Sequence, residues 1–294
     1  MNSWGLMGKN DKNGHFVIDE LRLCYTAEPS LLEDLSSIPS GYKREYGNYT
    51  LFRTRGDRFK FLYTVFQQGS RQEIGVIKFG RYAGDDDRYV YYKVNNRCLY
   101  DAELLESALS LPEILKMQFN NFTAIDIALD HNKNFTSIIK RMIRNKEITT
   151  IINGRVVTDR KNRRFGMGFY FPTSLDRLLP PSFTLAQAKA KKNKEKGITV
   201  QSYNKKEEIA ASNKQYILDY YQHPRFLFRL EVRLRYQELR DYFKKIGRAQ
   251  SIEILFDPGL LQDMFYYHLS SVLRFRKGRR QIAWRDIILC NGRV

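Results

Sequence analysis

The chain has 294 residues, of which 43% are hydrophobic, so it is long enough for one large domain or two smaller ones with a buried core. Lys and Arg number 50 against 32 Asp and Glu, and the net charge of +18 predicts a polyanionic partner. Three widely separated cysteines without a CxxC pair argue against a disulfide framework and a structural zinc site, and fit a reducing cytoplasm. With no signal-peptide pattern and no run of 18 apolar residues, we expect a soluble intracellular protein without a membrane partner.

The N-terminal part of the chain contains short runs rich in hydrophobic residues, separated by Gly and Asp turns, which is typical of antiparallel strands. A short amphipathic helix is predicted at residues 30–37. The predicted strands are 16–25, 49–55, 59–67, 74–81 and 89–95.

The rest of the chain mixes helical and strand periodicities. In chain order we predict a helix at 101–119 that Pro112 breaks or kinks, a strand at 122–130, a helix at 134–145, a hairpin at 148–157 with Asn153-Gly154 at its turn, strands at 165–171 and 226–236, and helices at 237–246 and 258–274.

These elements predict an α+β fold with a mainly antiparallel sheet core and helices packed on one face. The runs Ile18-Asp19 and Ile125-Asp126 each lie in a strand that leads to a loop and a helix, which raises the alternative of a duplicated β–α unit. The predicted domains are a core at 1–246, with its motif-bearing part at about 100–246, and a helical, basic C-terminal extension at 247–294.

A basic segment covers the strand predicted at 165–171 and continues toward the strand predicted at 226–236. Residues 160–206 hold twelve Lys and Arg and only two acids, more than half of the net charge of the chain. Its Ala/Lys-rich stretch 186–196 is predicted to be helical when bound. We expect the segment to supply salt-dependent affinity for nucleic acid. The candidate contacts at its start are Arg160, Lys161, Arg163 and Arg164.

Two aspartates share one face of the strand predicted at 122–130. Alternation puts Asp126, Ala128 and Asp130 on one side and hydrophobic residues on the other. Two carboxylates separated only by alanine leave room for a hard cation, and magnesium or manganese prefers such oxygen ligands. Taken alone, the pattern favours a solvated strand face.

Glu231 lies among arginines on the strand predicted at 226–236. Alternation turns four hydrophobic residues toward the core and puts Arg229, Glu231, Arg233 and Arg235 on the opposite face. The pattern alone favours a cross-strand ion pair. The alternative is a third metal ligand flanked by arginines that hold phosphates.

Tyr203 follows an extended run and is followed closely by Lys205 and Lys206. A phenol, with a pKa of about 10, is a poor nucleophile at neutral pH unless a cation stabilises the phenolate. Lys205 shares the face of Tyr203 if the strand continues, and Lys206 comes close if a helix begins there, so either could supply this charge. Spacing alone favours a structural tyrosine.

The spacing of the four histidines bears on the class of nicking enzyme to which the chain could belong. His15, His131, His223 and His268 include no His-x-His pair, which argues against the nicking enzymes that use two histidines. His131 follows Asp130, but strand alternation points it away from that side chain. The chain also lacks the Walker, HExxH and GxSxG motifs.

In order and spacing, these motifs resemble the filamentous-phage replication initiators of the gene II/X type. They are also similar to the rolling-circle plasmid initiators that lack paired histidines. The resemblance covers about residues 100–250, and Asp130 matches the plasmid pattern better than the phage pattern. The matching runs are Ile125-Asp126, Tyr203-Asn204-Lys205-Lys206-Glu207-Glu208 and Arg229-Leu230-Glu231-Val232-Arg233, followed by the aromatic and basic stretch 236–243.

The resemblance implies a metal-dependent enzyme that nicks and rejoins one DNA strand at the replication origin of a phage or plasmid. Tyr203 would become linked to the 5′ phosphate and leave a 3′ hydroxyl as primer, with help from Lys205 or Lys206. The implied ligands of Mg²⁺ or Mn²⁺ are Asp126, Asp130 and Glu231, and the implied contacts to the DNA backbone are Arg229 and Arg233.

The expected partners are origin DNA, as duplex and as single strand, and a host helicase and polymerase in the bacterial cytoplasm. The oligomeric state stays open, with a dimer as one option. Two alternatives are a non-catalytic regulator that binds DNA or RNA, and a metal-dependent nuclease that uses water while Tyr203 is structural. If Tyr203 is not the nucleophile, Tyr170 is the next candidate.

Overall fold

The computed structural model describes residues 14–56, 58–69, 71–81, 88–157, 164–165, 169–170, 182–186 and 197–293. It confirms the predicted mixed α+β fold with a large antiparallel sheet. The described residues form two compact units. The N-terminal unit comprises 19–125 and 246–252, and the C-terminal unit comprises 14–18, 126–245 and 253–293.

The N-terminal unit contains an antiparallel sheet with helices. Its elements are β1 (His15–Thr26, which starts in the C-terminal unit), α1 (Pro29–Ser37), β2 (Lys43–Tyr46), β3 (Tyr49–Thr54), β4 (Phe59–Gln67), β5 (Glu73–Arg81), β6 (Tyr89–Val94), a 3₁₀ helix (Asn96–Tyr100) and α2 (Ala102–Ile114). The strand order is β1-β6-β5-β4-β3-β2. The strands and the helix predicted before residue 96 are confirmed, and β2 is an additional edge strand.

Helix α2 is shorter than the predicted helix at 101–119. Lys116 has a positive φ of 52°. The Met117 N–H donates to the Pro112 carbonyl at 2.8 Å, and the Lys116 N–H donates to the Glu113 carbonyl at 2.9 Å. This pair of bonds is a Schellman motif, which ends the helix and satisfies its last carbonyls. Strand β7 (Gln118–His131) therefore starts where the sequence pattern predicted helix, and it continues from the N-terminal unit into the C-terminal unit.

The C-terminal unit contains two sheets and several helices. Its further elements are α3 (Phe135–Arg144), β8 (Ile148–Ile152), β9 (Arg155–Val156), β10 (Arg164–Phe165), β11 (Phe169–Tyr170), β12 (Phe183–Ala186), β13 (Thr199–Asn204), α4 (Lys205–Ser212), α5 (Gln215–Tyr220), β14 (Phe228–Arg235), α6 (Tyr236–Lys245), α7 (Pro258–Val272), β15 (Leu273–Lys277), β16 (Arg280–Ile282) and α8 (Trp284–Leu289). One sheet has the order β10-β11-β12-β13-β14-β7, and the other has the order β16-β15-β8-β9.

Helix α3 packs on one face of β13 and β14. Its apolar residues Phe135, Ile139 and Met142 are buried. The hydroxyls of Thr136 and Ser202 lie 2.8 Å apart, so α3 covers the strand face that Ser202 shares with other buried residues. Because side chains alternate along a strand, the opposite face of β13 and β14 carries Tyr203 and the charged residues.

Residues 253–293 of the region predicted as a C-terminal helical extension belong to the C-terminal unit, and residues 246–252 belong to the N-terminal unit. The division into a core at 1–246 and an extension at 247–294 stays a prediction. The helix predicted at 258–274 is present, but β15 and β16 form a hairpin that was not predicted. Leu273 and Phe275 are fully buried and alternate with Arg274 and Arg276, which is the period of a strand.

Several other predictions concern the C-terminal unit. The hairpin at 148–157 is confirmed, with positive φ angles at Asn153 and Gly154. Only short pieces of the strand predicted at 165–171 are described, and 187–196 lie outside the described residues. Strands β1 and β7 each lead to a helix, and the duplication of a β–α unit stays a prediction.

In the described part of the chain, no helix is both long and apolar enough to cross a membrane.

Candidate active site

Strands β13 and β14 position the candidate site. They pair antiparallel, with Tyr203 opposite Arg229 and Gln201 opposite Glu231. Helix α4 follows Tyr203 closely because Asn204 caps it: the Asn204 side chain accepts hydrogen bonds from the backbone N–H groups of Lys206 and Glu207. The Lys205 N–H donates to the Leu227 carbonyl at 2.9 Å, which ties the start of α4 to the start of β14.

A single cluster joins the phenol, two carboxylates and two guanidinium groups. The Tyr203 hydroxyl donates to Glu231 Oε2 at 2.7 Å, and Arg233 Nε donates to Glu231 Oε1 at 2.5 Å. Arg233 Nε also lies 3.4 Å from Asp126 Oδ2, and Arg235 Nη1 donates to Asp126 Oδ1 at 2.6 Å. The structure therefore brings together Tyr203, Glu231, Asp126 and Arg233, each singled out in the sequence.

Burial differs across this cluster. Glu231 is fully buried and Asp126 nearly so, while the Arg233 side chain is 36% exposed. Burial opposes the charge of Arg233, but the Glu231 and Asp126 carboxylates outweigh it and raise the pKa of the guanidinium above its ordinary value. Arg233 thus stays charged and keeps part of its surface in solvent while it contacts the two carboxylates.

The two lysines that follow Tyr203, Lys205 and Lys206, lie in different surroundings. Lys205 is buried, its Nζ lies 2.7 Å from Glu208 Oε2, and the same Nζ lies 5.7 Å from the centre of the Tyr203 ring. Burial raises the pKa of Glu208, but Lys205 and Lys214 outweigh this and lower it overall, so the carboxylate stays ionised beside the ammonium. Lys206 is exposed and donates to the Pro224 carbonyl at 3.2 Å. Of the two lysines, Lys205 is the one whose ammonium lies near the Tyr203 ring.

Asp130 and Arg229 form a separate buried pair. Both are 0% exposed, and Arg229 Nε donates to Asp130 Oδ1 at 2.7 Å while Nη2 donates to Oδ2. The Tyr221 hydroxyl also donates to Asp130 Oδ2, at 2.7 Å. Both oxygens of Asp130 are thus engaged by protein donors, and Arg229 has no exposed surface to offer DNA. In this geometry Asp130 and Arg229 are engaged with each other, and their expected roles as a metal ligand and a DNA contact stay predictions.

Of the three carboxylates expected to bind a divalent metal, the structure brings only Asp126 and Glu231 together. In the described parts of the chain, no group of three or more His, Cys, Asp or Glu side chains is close enough to hold a metal ion. Asp126 and Glu231 nevertheless offer hard oxygen ligands that share Arg233. Mg²⁺ is commonly bound by one or two carboxylates together with substrate phosphates and water, so this pair fits the donor set.

The other predicted residues are placed as follows. Arg160, Lys161 and Arg163 lie outside the described residues, and for Arg164 and Tyr170 only the backbone is described, in the pairing of β10 with β11. His131 Nδ1 accepts a hydrogen bond from the Lys133 N–H at 3.0 Å, so it stabilises the turn after β7.

The sequence alone did not reveal the contacts of three residues near the candidate site, Arg235, Tyr221 and Glu208. Arg235 was placed on the charged face of its strand, but its bond to Asp126 needs the adjacency of β7 and β14, which periodicity does not show. Tyr221 closes the Asp130 pair from a loop. Glu208 lies three residues after Lys205, a spacing that brings the two side chains together once a helix begins at Lys205. No known protein family matches this chain, and neither does any curated protein.

Proposed function

We propose that the protein is a rolling-circle replication initiator that cleaves one DNA strand through Tyr203 and later rejoins it. The observation that carries this proposal is the 2.7 Å hydrogen bond from the Tyr203 hydroxyl to Glu231, in a cluster that also holds Arg233 and Asp126. A structural tyrosine does not require a buried carboxylate, a partly exposed arginine and a nearby buried lysine. The resemblance to phage and plasmid initiators in the order of motifs supports the same function.

The chemistry follows from this geometry. A general base must lie within about 2.6–3.2 Å of the proton that it removes, and Glu231 Oε2 meets this condition for the phenol. As the Tyr203 oxygen forms a bond to phosphorus, its proton passes to Glu231 and the bond from phosphorus to the 3′ oxygen breaks. That oxygen takes a proton from solvent water and becomes the 3′ hydroxyl primer. The 5′ phosphate stays on Tyr203, so the reverse reaction reseals the strand without ATP.

The surrounding charges act on the same step. Arg233 holds a phosphate oxygen and stabilises the negative charge that develops on it, and Lys205 favours the phenolate. Asp126 and Glu231 are the residues that would hold Mg²⁺ or Mn²⁺. When bound, the ion would supply further stabilisation of charge on the phosphate.

The first test uses a supercoiled plasmid that carries the origin, with Mg²⁺ or Mn²⁺. We expect the wild-type protein to nick it and to remain attached to a 5′ end on a denaturing gel. Tyr203→Phe should abolish the nick and the adduct but keep DNA binding, because only the hydroxyl is lost. Tyr42→Phe, at a highly exposed tyrosine of the N-terminal unit, is the matched control and should nick normally.

The outcomes separate the alternatives. Nicking by Tyr203→Phe would contradict the assignment and make Tyr170 the next candidate. Nicking without a protein-linked 5′ end would identify a nuclease that uses water. Specific DNA or RNA binding without any nicking would identify a regulator.

A second test addresses the carboxylates. Glu231→Gln removes the proton acceptor while keeping the size of the side chain, so we expect the nicking rate to fall by about 10²–10⁴. Asp126→Asn should reduce nicking and raise the Mg²⁺ concentration needed for half-maximal rate. Unchanged nicking in both variants would contradict the proposed site.

A further inference from the structure

The hairpin β15–β16 concentrates positive charge outside the candidate active site. Residues 273–285 contain five Arg and one Lys and no acidic residue. The arginine hairpin is defined here by Arg274, Arg276, Lys277, Arg279 and Arg280. The proposed nicking reaction uses none of these side chains.

One face of the hairpin anchors it to the unit. Leu273 and Phe275 are fully buried, and the Trp284 ring packs edge-on against Phe275 with ring centres 5.5 Å apart. Trp284 Nε1 also donates to the Leu273 carbonyl at 3.1 Å. Since side chains alternate along a strand, Arg274 and Arg276 lie on the opposite face. The hairpin is therefore a fixed element that presents arginines away from its core contacts.

The turn adds three exposed cations. Lys277 pairs with Arg280, so the loop is the two-residue Gly278-Arg279, and Gly278 has a positive φ of 58° with open space around it. Glycine at the first loop position is typical of a type II′ hairpin turn, which keeps the two strands in register. Lys277, Arg279 and Arg280 are all exposed.

Little negative charge offsets this surface. Glu147 Oε2 lies 3.6 Å from Lys277 Nζ, but both side chains are more than half exposed, and such a pair contributes little. In the part of the chain that the structure describes, no carboxylate lies within 4.0 Å of the guanidinium groups of Arg274, Arg279 and Arg280. These groups are available to an anionic partner.

We propose that the arginine hairpin is a binding surface for the phosphate backbone of duplex DNA. The major groove of B-DNA admits a two-stranded β-ribbon, and the planar guanidinium binds phosphate with two parallel hydrogen bonds. Single-strand binders need exposed aromatic rings on which bases stack, whereas both aromatic rings of this segment, Phe275 and Trp284, are buried. The surface adds a duplex contact to the proposed initiator and does not depend on cleavage.

The test measures binding of a short fluorescent duplex over a range of salt concentrations, with Tyr203→Phe in every protein so that no cleavage occurs. We expect R279A/R280A to lose at least about tenfold in affinity and to lower the slope of log K against log salt by about 2. The matched control R55A/R71A removes two exposed arginines of the N-terminal unit and should keep the wild-type slope. R279K/R280K keeps the charge and should also keep the slope.

Two results would overturn the inference. One is an R279A/R280A protein that keeps the slope while Trp284 fluorescence shows a native fold. The other is an equal loss of affinity for single-stranded DNA, which would make the hairpin a general polyanion surface. The proposed nicking is tested separately, in the Tyr203 background, on a single-stranded oligonucleotide that needs no duplex contact. If nicking fails there while the duplex result holds, only the function proposed for Tyr203 is wrong.

Discussion

At the scale of single residues, burial decides what each charge on β14 can do. Arg229 and Arg233 lie on the same strand face, four residues apart, and each contacts an aspartate of β7. Arg229 is fully buried, and its charge is paired with Asp130. Arg233 contacts Asp126 and Glu231 and keeps part of its surface in solvent, where the proposed function places a phosphate. The first pair supports the fold and the second supports the proposed chemistry.

The first prediction concerns the buried pair. Asp130→Ala should lower the free energy of unfolding by about 3–5 kcal/mol, because it leaves the Arg229 guanidinium buried without its counter-ion. Denaturant unfolding followed by Trp284 fluorescence measures the change. Adding Mg²⁺ should restore none of the loss. Normal stability with lost nicking would instead show that Asp130 is a metal ligand.

The second prediction concerns His268, which is 3% exposed and has no hydrogen-bond partner for either ring nitrogen within the described residues. Burial, with a smaller contribution from Lys245, lowers its pKa from 6.5 to about 4. Unfolding exposes the ring, so between these two pKa values the unfolded chain binds a proton at His268 that the folded chain does not bind. This contribution to stability is complete above pH 6.5 and is lost as the pH falls toward 4, by roughly 3 kcal/mol.

Unfolding free energies measured between pH 4 and 7 test this. His268→Leu should flatten the curve in that range. An equally steep curve for His268→Leu would assign the pH dependence to other groups.

At the scale of elements, the cap of α4 links the fold to the candidate site. Asn204 satisfies two N–H groups at the start of this helix, and the helix begins with Lys205. We expect Asn204→Ala to lower the free energy of unfolding by about 1 kcal/mol and also to slow nicking, because Lys205 loses its fixed position beside Tyr203.

The cap of α3 provides the control. Asn134 caps α3 in the same way, through the Ser137 N–H, so Asn134→Ala should cost a similar amount of stability without the kinetic effect. Asn204→Asp keeps an acceptor at the cap and should retain both properties. Equal nicking rates in Asn204→Ala and Asn134→Ala would separate the cap from the site.

The elements also show which parts of the fold can be predicted from the hydrophobic periodicity of the sequence. Strand β4 was predicted to the residue, and the β8–β9 hairpin was found from Asn153-Gly154, because alternation and turn chemistry are local signals. The β15–β16 hairpin was missed, since its exposed face is almost entirely cationic and Leu273, on its buried side, was assigned to the preceding helix. The candidate site was predicted only in part, because alternation along one strand is a local signal. Alternation placed Glu231 and Arg233 on one face, but the choice of partner for Asp130 depends on how β7 lies beside β14.

At the scale of the whole molecule, the C-terminal residues complete a core. Met264, Phe265, Leu269, Val272, Leu273 and Phe275 are all 0% exposed, and they belong to the unit that holds the candidate site. Burying a side chain of this kind contributes about 1.5–3 kcal/mol. Together these residues contribute roughly as much as the 5–15 kcal/mol by which a typical domain is stable.

A chain ending at Ile246 should therefore fail to fold its C-terminal unit. We expect it to bind a hydrophobic dye, to elute as aggregate or expanded chain in size-exclusion chromatography, and to lose nicking. A chain ending at Gly292, which lacks only the last two residues, is the control and should behave as the full chain does. A monomeric truncated chain with native circular dichroism and nicking activity would contradict the contribution of residues 253–293 to the core of the C-terminal unit. It would support the predicted division, in which residues 247–294 are a separate extension of a complete domain.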